Sequence, residues 1–229
     1  MDNNSVAMPL DLNTRSERGQ RWSRQATDLM NIIFCDITSE NLEALRGAFS
    51  DLPNFSFVRN QINSVPADCI VSPANSYGLM DGGVDRAINY SLDYISDKVQ
   101  KLIQSHYSGE QPVGTCMIVP VSQSAMISGK FRYLAHTPTM RIPKDVSNTD
   151  NAYIAFRALL TELNNHNKKY KDIDSVVMTS FCCGAGKMNP IQAARQMRLA
   201  YDIVNSNMPC TWETARQIEK SLMNINSGK

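Results

Sequence analysis

Two glycine-bearing loops carry the residue types best suited to binding a phosphate. The first contains Gly82 and Gly83 and follows residues 69–71, a short apolar run that predicts a buried strand ended by Pro73. After the glycines, apolar residues recur at intervals of three and four over residues 84–102, which predicts one long helix. A helix that begins at two glycines presents free N–H groups and a positive dipole end, and both favour an anion.

The second loop follows the last clear strand, predicted over residues 174–179, and contains Gly184 and Gly186. Asn189 and Pro190 then predict the N-cap and the first residue of another helix. Ligands of α/β sheets bind outside the carboxyl ends of the strands, so the two loops form one cleft if their strands are near neighbours. Two glycine loops and two helix N-termini can hold a diphosphate without a basic side chain, which favours a nucleotide that contains one.

The elements around these loops alternate between strand and helix, without an internal repeat. Further strands are predicted at residues 31–35, 55–58, 113–119 and 131–136, and further helices after residue 38, from Asn151, from Pro190 and over residues 212–223. This order predicts a three-layer α/β/α sandwich with a mixed, largely parallel central sheet. Residues 1–29 are polar and without a period, which predicts a flexible leader followed by a single domain over residues 30–229.

Composition and charge exclude several classes of protein. The net charge of +1 gives no electrostatic basis for binding nucleic acid or an anionic membrane, and no apolar run approaches the ~20 residues of a transmembrane helix. The six cysteines form no C-x-x-C pair, and the three histidines have no metal-ligand spacing. We therefore predict buried free thiols, no metal site, no cofactor and a cytoplasmic location.

Residues 67–75 and 82–88 read A-D-C-I-V-S-P-A-N and G-G-V-D-R-A-I. They resemble the first signature of the macrodomain family, whose members bind ADP-ribose, and residues 182–186 resemble its second. The resemblance covers roughly residues 55–205, and its motifs are most similar to those of the hydrolytic MacroD-type members. It implies a macrodomain-like fold and, as partner, ADP-ribose or an ADP-ribosylated protein or metabolite. Nucleic acid is implied only as an ADP-ribosylated substrate.

The resemblance also implies a set of site residues. Asn75 and Asp85 are the implied catalytic residues: Asn75 hydrogen-bonds ribose hydroxyls, and Asp85 orients or deprotonates a water for attack at the distal ribose carbon or an ester carbonyl. A helix N-terminus lowers a carboxylate's pKa, so we expect Asp85 to be an ionised, weak base. The implied substrate-binding residues are Gln61, Ile62, Asn75, Gly82, Gly83, Val84, Cys183, Gly184, Ala185 and Gly186.

Two functions are compatible with these residues. The first is hydrolysis, which releases ADP-ribose from a modified acidic residue or from O-acetyl-ADP-ribose. The alternative is a non-catalytic module that reads ADP-ribose or a related nucleotide-diphosphate sugar, and this role needs no carboxylate at Asp85. A thiol nucleophile at Cys182 or Cys183 is disfavoured, because no histidine lies nearby in the sequence.

The chain departs from the family pattern at several positions. Ser72 stands where the first signature has its first asparagine, and Asp81 stands in place of a glycine and makes the loop rim acidic. Gln61 occupies the position of an aspartate that reads the adenine amino group, and its amide leaves the base preference open. Residues 36–38 also read D-I-T, but a helix and a strand separate them from the central stretch, so we place them outside the site. With no strand evident after the Pro190 helix, we expect the first strand to fill a sheet edge.

Overall fold

The computed structural model describes residues 30–123, 131–206 and 208–228 and centres on a six-stranded sheet. The strand order is β2-β1-β6-β3-β5-β4, and every neighbouring pair is parallel except β4 and β5. This confirms the predicted mixed, largely parallel sheet. The strands are β1 (Asn31–Cys35), β2 (Phe55–Val58), β3 (Cys69–Ser72), β4 (Met117–Pro120), β5 (Tyr133–His136) and β6 (Ser175–Met178).

Helices cover both faces of the sheet, which confirms the three-layer sandwich. They are α1 (Ser39–Phe49), α2 (Gly83–Ser91), α3 (Ser96–Tyr107), α4 (Asn151–Lys169), α5 (Pro190–Asn205) and α6 (Trp212–Asn226), with a 3₁₀ turn at Ile62–Ser64. One core lies under α1, α4, α5 and α6, and the other lies under α2 and α3. Strand residues alternate between the two cores: Cys69 and Val71 face the first, and Ile70 faces the second.

The predicted leader at residues 1–29 lies outside the described residues, and a single domain over residues 30–229 stays a prediction. None of the helices in the described ranges is long and apolar enough to cross a membrane.

The prediction of one long helix over residues 84–102 is wrong. The helix is interrupted between α2 and α3, where Asp93 and Tyr94 adopt positive φ angles of 54° and 57°. The buried side chain of Asn89 stabilises the connection between the two helices, because its Oδ1 accepts a hydrogen bond from the N–H of Ser96 at 3.0 Å. The apolar period runs through the break because both helices bury the same face, with Ile88 and Val99 in one core.

The first strand does not fill an edge of the sheet. β1 lies between β2 and β6, and β2 is the edge strand. The reason is the bulk that β1 buries: Phe34 is fully buried, and its ring lies 5.0 Å from that of Phe49 and 5.5 Å from that of Phe55. The interior position surrounds the ring of Phe34 with aromatic side chains from α1 and β2.

Two smaller predictions are also corrected. The strand predicted from residue 113 begins only at Met117, because Thr115 donates its N–H to Pro112 in a turn and Gly114 has a φ of 96°. The apolar Ile154 of α4, for which the sequence would predict an inward position on that helix, is 37% exposed. The buried stripe of α4 instead runs through Ala152, Ala155, Phe156, Leu159, Leu160 and Leu163.

Candidate functional site

A pocket of about 710 Å³ lies beyond the carboxyl ends of β1, β6, β3 and β5. Its two central walls come from adjacent strands, because β3 pairs directly with β6 at Cys69 with Val176 and at Ile70 with Val177. The two glycine loops that follow these strands therefore face one cavity, which confirms the adjacency that the two-loop cleft requires.

The loop between β3 and α2 leaves a helix N-terminus open to the pocket. Gly82 is the N-cap of α2 and has no side chain to cap it. Gly83 has a φ of 53°, which residues with a side chain rarely adopt. A Cβ atom added at either glycine would meet no atom within 4 Å, so the space before them is free. The first N–H groups of α2 have no intrahelical partner, which makes this end able to bind an anion.

The loop between β6 and α5 contributes exposed backbone rather than a second open helix end. Asn189 caps α5, as predicted, by accepting from the N–H groups of Ile191 at 2.9 Å and Gln192 at 3.4 Å. Those donors are therefore already paired, and the expectation of two free helix N-termini is wrong for α5. Gly184 is exposed with open space around its Cα, whereas a Cβ at Gly186 would lie 2.4 Å from the Cys182 carbonyl oxygen. Gly184 can face a ligand, and Gly186 is required by the loop itself.

The pocket is lined by all of the predicted binding residues except Cys183, and Cys182 lines it instead. Ile62 contributes little surface, since it is 4% exposed and belongs to the core under α2 and α3. Burial raises the pKa of Cys182 to about 12 and that of Cys183 to about 11. Neither sulfur is a thiolate near neutral pH, in agreement with the sequence argument against a thiol nucleophile.

Asn75 uses its side chain to hold the first loop. Its Oδ1 accepts from the N–H groups of Tyr77 at 3.0 Å and Leu79 at 3.4 Å, and its Nδ2 donates to the carbonyl oxygen of Leu79 at 2.9 Å. The residue is 8% exposed. Its amide therefore shapes the turn between β3 and α2, and the predicted contact with ribose hydroxyls stays a prediction.

Asp85 lies in the first turn of α2 and is tied to the end of β3. The hydroxyl of Ser72, which is fully buried, donates to its Oδ1 at 2.7 Å. Burial raises the pKa of Asp85 to about 6; the hydrogen bond from Ser72 opposes this rise, and the charge of Asp81 adds to it. The expectation of a lowered pKa is wrong, because burial is the largest influence on this carboxyl group. At pH 7 the group is still mostly ionised, yet it is a stronger base than an ordinary aspartate.

Asp36, which we placed outside the site on sequence grounds, lies in the pocket wall. Its carboxylate accepts from the hydroxyls of Thr179 at 2.5 Å and Ser180 at 2.8 Å, from Asn41 Nδ2 at 3.1 Å and from the Thr38 N–H at 2.9 Å. Burial alone would raise the pKa of Asp36, but these hydrogen bonds outweigh it and lower the pKa. Its position directly after β1 was the signal that could have identified it, since ligands bind at the carboxyl ends of strands.

Within the described residues, no group of three or more His, Cys, Asp or Glu side chains could hold a metal ion. The pocket lining also contains no lysine or arginine in the part of the chain that the structure describes. An anion in this pocket would therefore be held by backbone N–H groups.

Comparison with known proteins gives the family. The family model described as "Macro domain" matches residues 71–197, which include both glycine loops. An uncharacterized protein of Aeropyrum pernix is 26% identical over 151 residues, which cover 65% of this chain and 70% of that protein. One of Aquifex aeolicus is 33% identical over 105 residues, or 45% of this chain and 56% of that protein. The match thus spans little more than half of the Aquifex protein.

Solved structures support the same fold. The macrodomain of Mycobacterium tuberculosis DarG has a TM-score of 0.52 and 15% identity over 64% of this chain and 89% of its own. A mutant macrodomain of Oceanobacillus iheyensis, solved with ADPR, has a TM-score of 0.51 and 18% identity over 74% of this chain and 91% of its own. At such identities the similarity concerns the fold alone. Because the family model covers more than half of the sequence, the chain belongs to the Macro domain family.

Proposed function

We propose that this pocket binds ADP-ribose and that the protein hydrolyses ADP-ribose from a modified acidic residue or from O-acetyl-ADP-ribose. The observation that carries the proposal is the pairing of β3 with β6, which brings both glycine loops and the Asp85 carboxylate to one cavity. The similarity to a macrodomain solved with ADPR supports the same ligand.

The binding part of the proposal rests on the shape and charge of the pocket. A cavity of about 710 Å³ falls in the range of small-molecule sites. The uncapped start of α2 at Gly83 and the open backbone at Gly184 both line the pocket and can hold the diphosphate through N–H groups. We expect ADP-ribose to bind in the micromolar range, about −8 kcal/mol, and AMP to bind at least tenfold more weakly because it lacks the second phosphate and ribose.

The hydrolytic part rests on Asp85. Its Oδ1 accepts from Ser72, and its Oδ2 has no hydrogen bond to any described residue, so a water can occupy that position. Asp85 takes a proton from this water as the oxygen attacks. At the distal ribose carbon, the carbon–oxygen bond to the modified carboxylate breaks and the carboxylate leaves. On the acetyl ester, attack at the carbonyl breaks the acyl–oxygen bond and releases acetic acid, and the proton held by Asp85 passes to the ribose oxygen that leaves. ADP-ribose is the second product of both reactions.

A binding module without turnover is the second candidate, and one observation favours it. The side chain of Asn75, which hydrolysis would use on the ribose hydroxyls, is engaged with the backbone of its own loop. Such a protein would hold ADP-ribosylated partners through the same pocket.

Single-turnover assays separate the two candidates. The substrates are a peptide ADP-ribosylated on glutamate and O-acetyl-ADP-ribose, and calorimetric titration with ADP-ribose and AMP runs beside them. Release of ADP-ribose that depends on Asp85 supports the hydrolase. Micromolar binding without release on either substrate supports the module, and equal affinity for AMP and ADP-ribose contradicts the two-loop site.

The free thiols Cys35, Cys69 and Cys116 are buried and suit a reducing compartment, so we place this function in the cytoplasm.

A further inference from the structure

We infer that the site accepts 6-oxopurines as well as 6-aminopurines, so that its ligands are purine-nucleoside diphosphate riboses rather than adenine compounds alone. The inference rests on the proposed function and names the substrate class more closely. It depends on what lies at one end of the pocket, beyond the diphosphate loops.

The strand order gives the pocket two distinct ends. β6 and β3 separate β1 from β5, so the loops after β1 and β5 lie roughly 14 Å apart, three strand spacings. The glycine loops lie between them. A diphosphate held at these loops therefore leaves one end for a base and the other for a second sugar.

The β1 end has the character of a base site. Ile37 lines it with a side chain that is 67% exposed, an apolar surface on which a planar base can lie. The segment after β2 joins it there, because the Cys35 thiol donates to the carbonyl oxygen of Asn60 at 3.2 Å. The charged group nearest to Ile37 in sequence, Asp36, is 7% exposed and already accepts four hydrogen bonds. It is thus not free to select a donor on the base.

Gln61 is a group at this end whose whole side-chain amide remains available to a ligand. Asn41 donates to Asp36, and the Oδ1 of Asn60 accepts from the N–H of Gln61 at 2.8 Å. The amide of Gln61 is exposed, lines the pocket and makes no hydrogen bond to another described residue.

An amide differs from a carboxylate in what it can read. It offers an acceptor oxygen and a donor NH₂ group, and a rotation of its last torsion exchanges them. A carboxylate at this position would only accept, and it would favour the amino group of adenine over the 6-oxo group of guanine. Gln61 can hydrogen-bond the 6-amino group of adenine or the 6-oxo group of guanine. This end of the pocket therefore discriminates weakly between the two bases.

Calorimetric titration of the full chain with ADP-ribose and GDP-ribose tests the inference. For the wild type we expect dissociation constants within about fivefold of each other. Gln61→Glu keeps the size of the side chain and removes its donor, and we expect it to favour ADP-ribose by at least about tenfold. Gln104→Glu, an exposed position of α3 outside the pocket, makes the same change of charge and should leave the ratio unchanged.

Each result decides one point. A wild type that binds GDP-ribose more weakly than ADP-ribose by clearly more than about fivefold overturns the inference and leaves the proposed function intact. A Gln61→Glu variant with an unchanged ratio overturns the assignment of Gln61. No binding of either ligand overturns the proposed function and the inference together.

Discussion

The hydroxyl of Ser72 donates a hydrogen bond to the Oδ1 of Asp85 over 2.7 Å and thereby joins the last residue of β3 to the first turn of α2. Ser72 is fully buried and stands where the family signature has an asparagine. The bond fixes by one oxygen the carboxylate of a residue that lines the pocket. Ser72, which departs from the family pattern, is thus the residue that positions the proposed base, Asp85.

Replacing Ser72 by alanine should change the pH dependence of hydrolysis. The lost hydrogen bond stabilises the ionised form of Asp85, so the pKa of that group should rise further and the acid limb of kcat/KM should move to higher pH. We also expect the free energy of unfolding to fall by about 1 kcal/mol. The matched control is Ser76→Ala, a buried serine of the same loop without a contact to Asp85. An acid limb that stays in place would reduce Ser72 to a structural role.

Replacing Asp85 by asparagine should separate catalysis from binding. We expect hydrolysis to fall at least ~10²-fold, while ADP-ribose affinity changes less than about tenfold because backbone N–H groups hold the diphosphate. The wild-type rate should rise with pH through about 6, where Asp85 loses its proton, and the variant should lack this limb. Asp81→Asn is the control: it removes a charge that raises the pKa of Asp85, so the limb should move to lower pH. Single-turnover rates between pH 5 and 8 provide the measurement. If the Asp85→Asn variant hydrolyses as fast as the wild type, Asp85 has no catalytic role and only occupies the first turn of α2.

A glutamate at Gly184 should abolish ADP-ribose binding without unfolding the protein. The space in front of Gly184 is open, so the side chain fits, but it would fill the phosphate position with a like charge. Gly47→Glu on α1 introduces the same residue at an equally open glycine away from the pocket and should bind normally. Calorimetry and thermal melting of both variants are the measurements. Normal affinity of Gly184→Glu would show that the second loop does not contact the ligand.

Replacing Asp36 by alanine should destabilise the fold at neutral pH by about 2 kcal/mol or more, because Thr179, Ser180 and Asn41 would lose their shared acceptor. Its lowered pKa means that the stabilisation is complete above the unfolded value near 4 and disappears as the pH falls below it. Urea unfolding between pH 7 and pH 3 should show the difference from wild type shrinking with acid. Glu40→Ala, an exposed acid in the first turn of α1, should change the unfolding free energy by less than about 0.5 kcal/mol. A difference that is constant with pH would contradict this role.

The features predicted correctly from the sequence are those determined locally. Glycines between a strand and a helix mark the two loops, and Asn189 before a proline marks a cap, because only neighbouring backbone is involved. Asp36 was missed because its role depends on Thr179, which lies 143 positions away. The pKa of Asp85 was missed for the same reason: the dipole of its own helix is visible in the sequence, and its burial is not.

The helix break between α2 and α3 was hidden in another way. The apolar pattern is the same for one helix and for two that cover the same face, so the period could not reveal the break. The signal was Asn89, whose polar side chain is buried and bonds to the backbone of Ser96.

The position of β6 has a consequence for how the protein is made. β6 pairs with β1 on one side and β3 on the other, so β1 and β3 are not joined into one sheet until residues 175–178 have been synthesised and inserted between them. Pairings this distant in sequence slow folding. We expect a nascent chain that ends before β6 to hold two unjoined parts of the sheet and no ligand site. The pocket is thus completed only when β6 has joined the sheet, and a ligand that binds it stabilises that insertion.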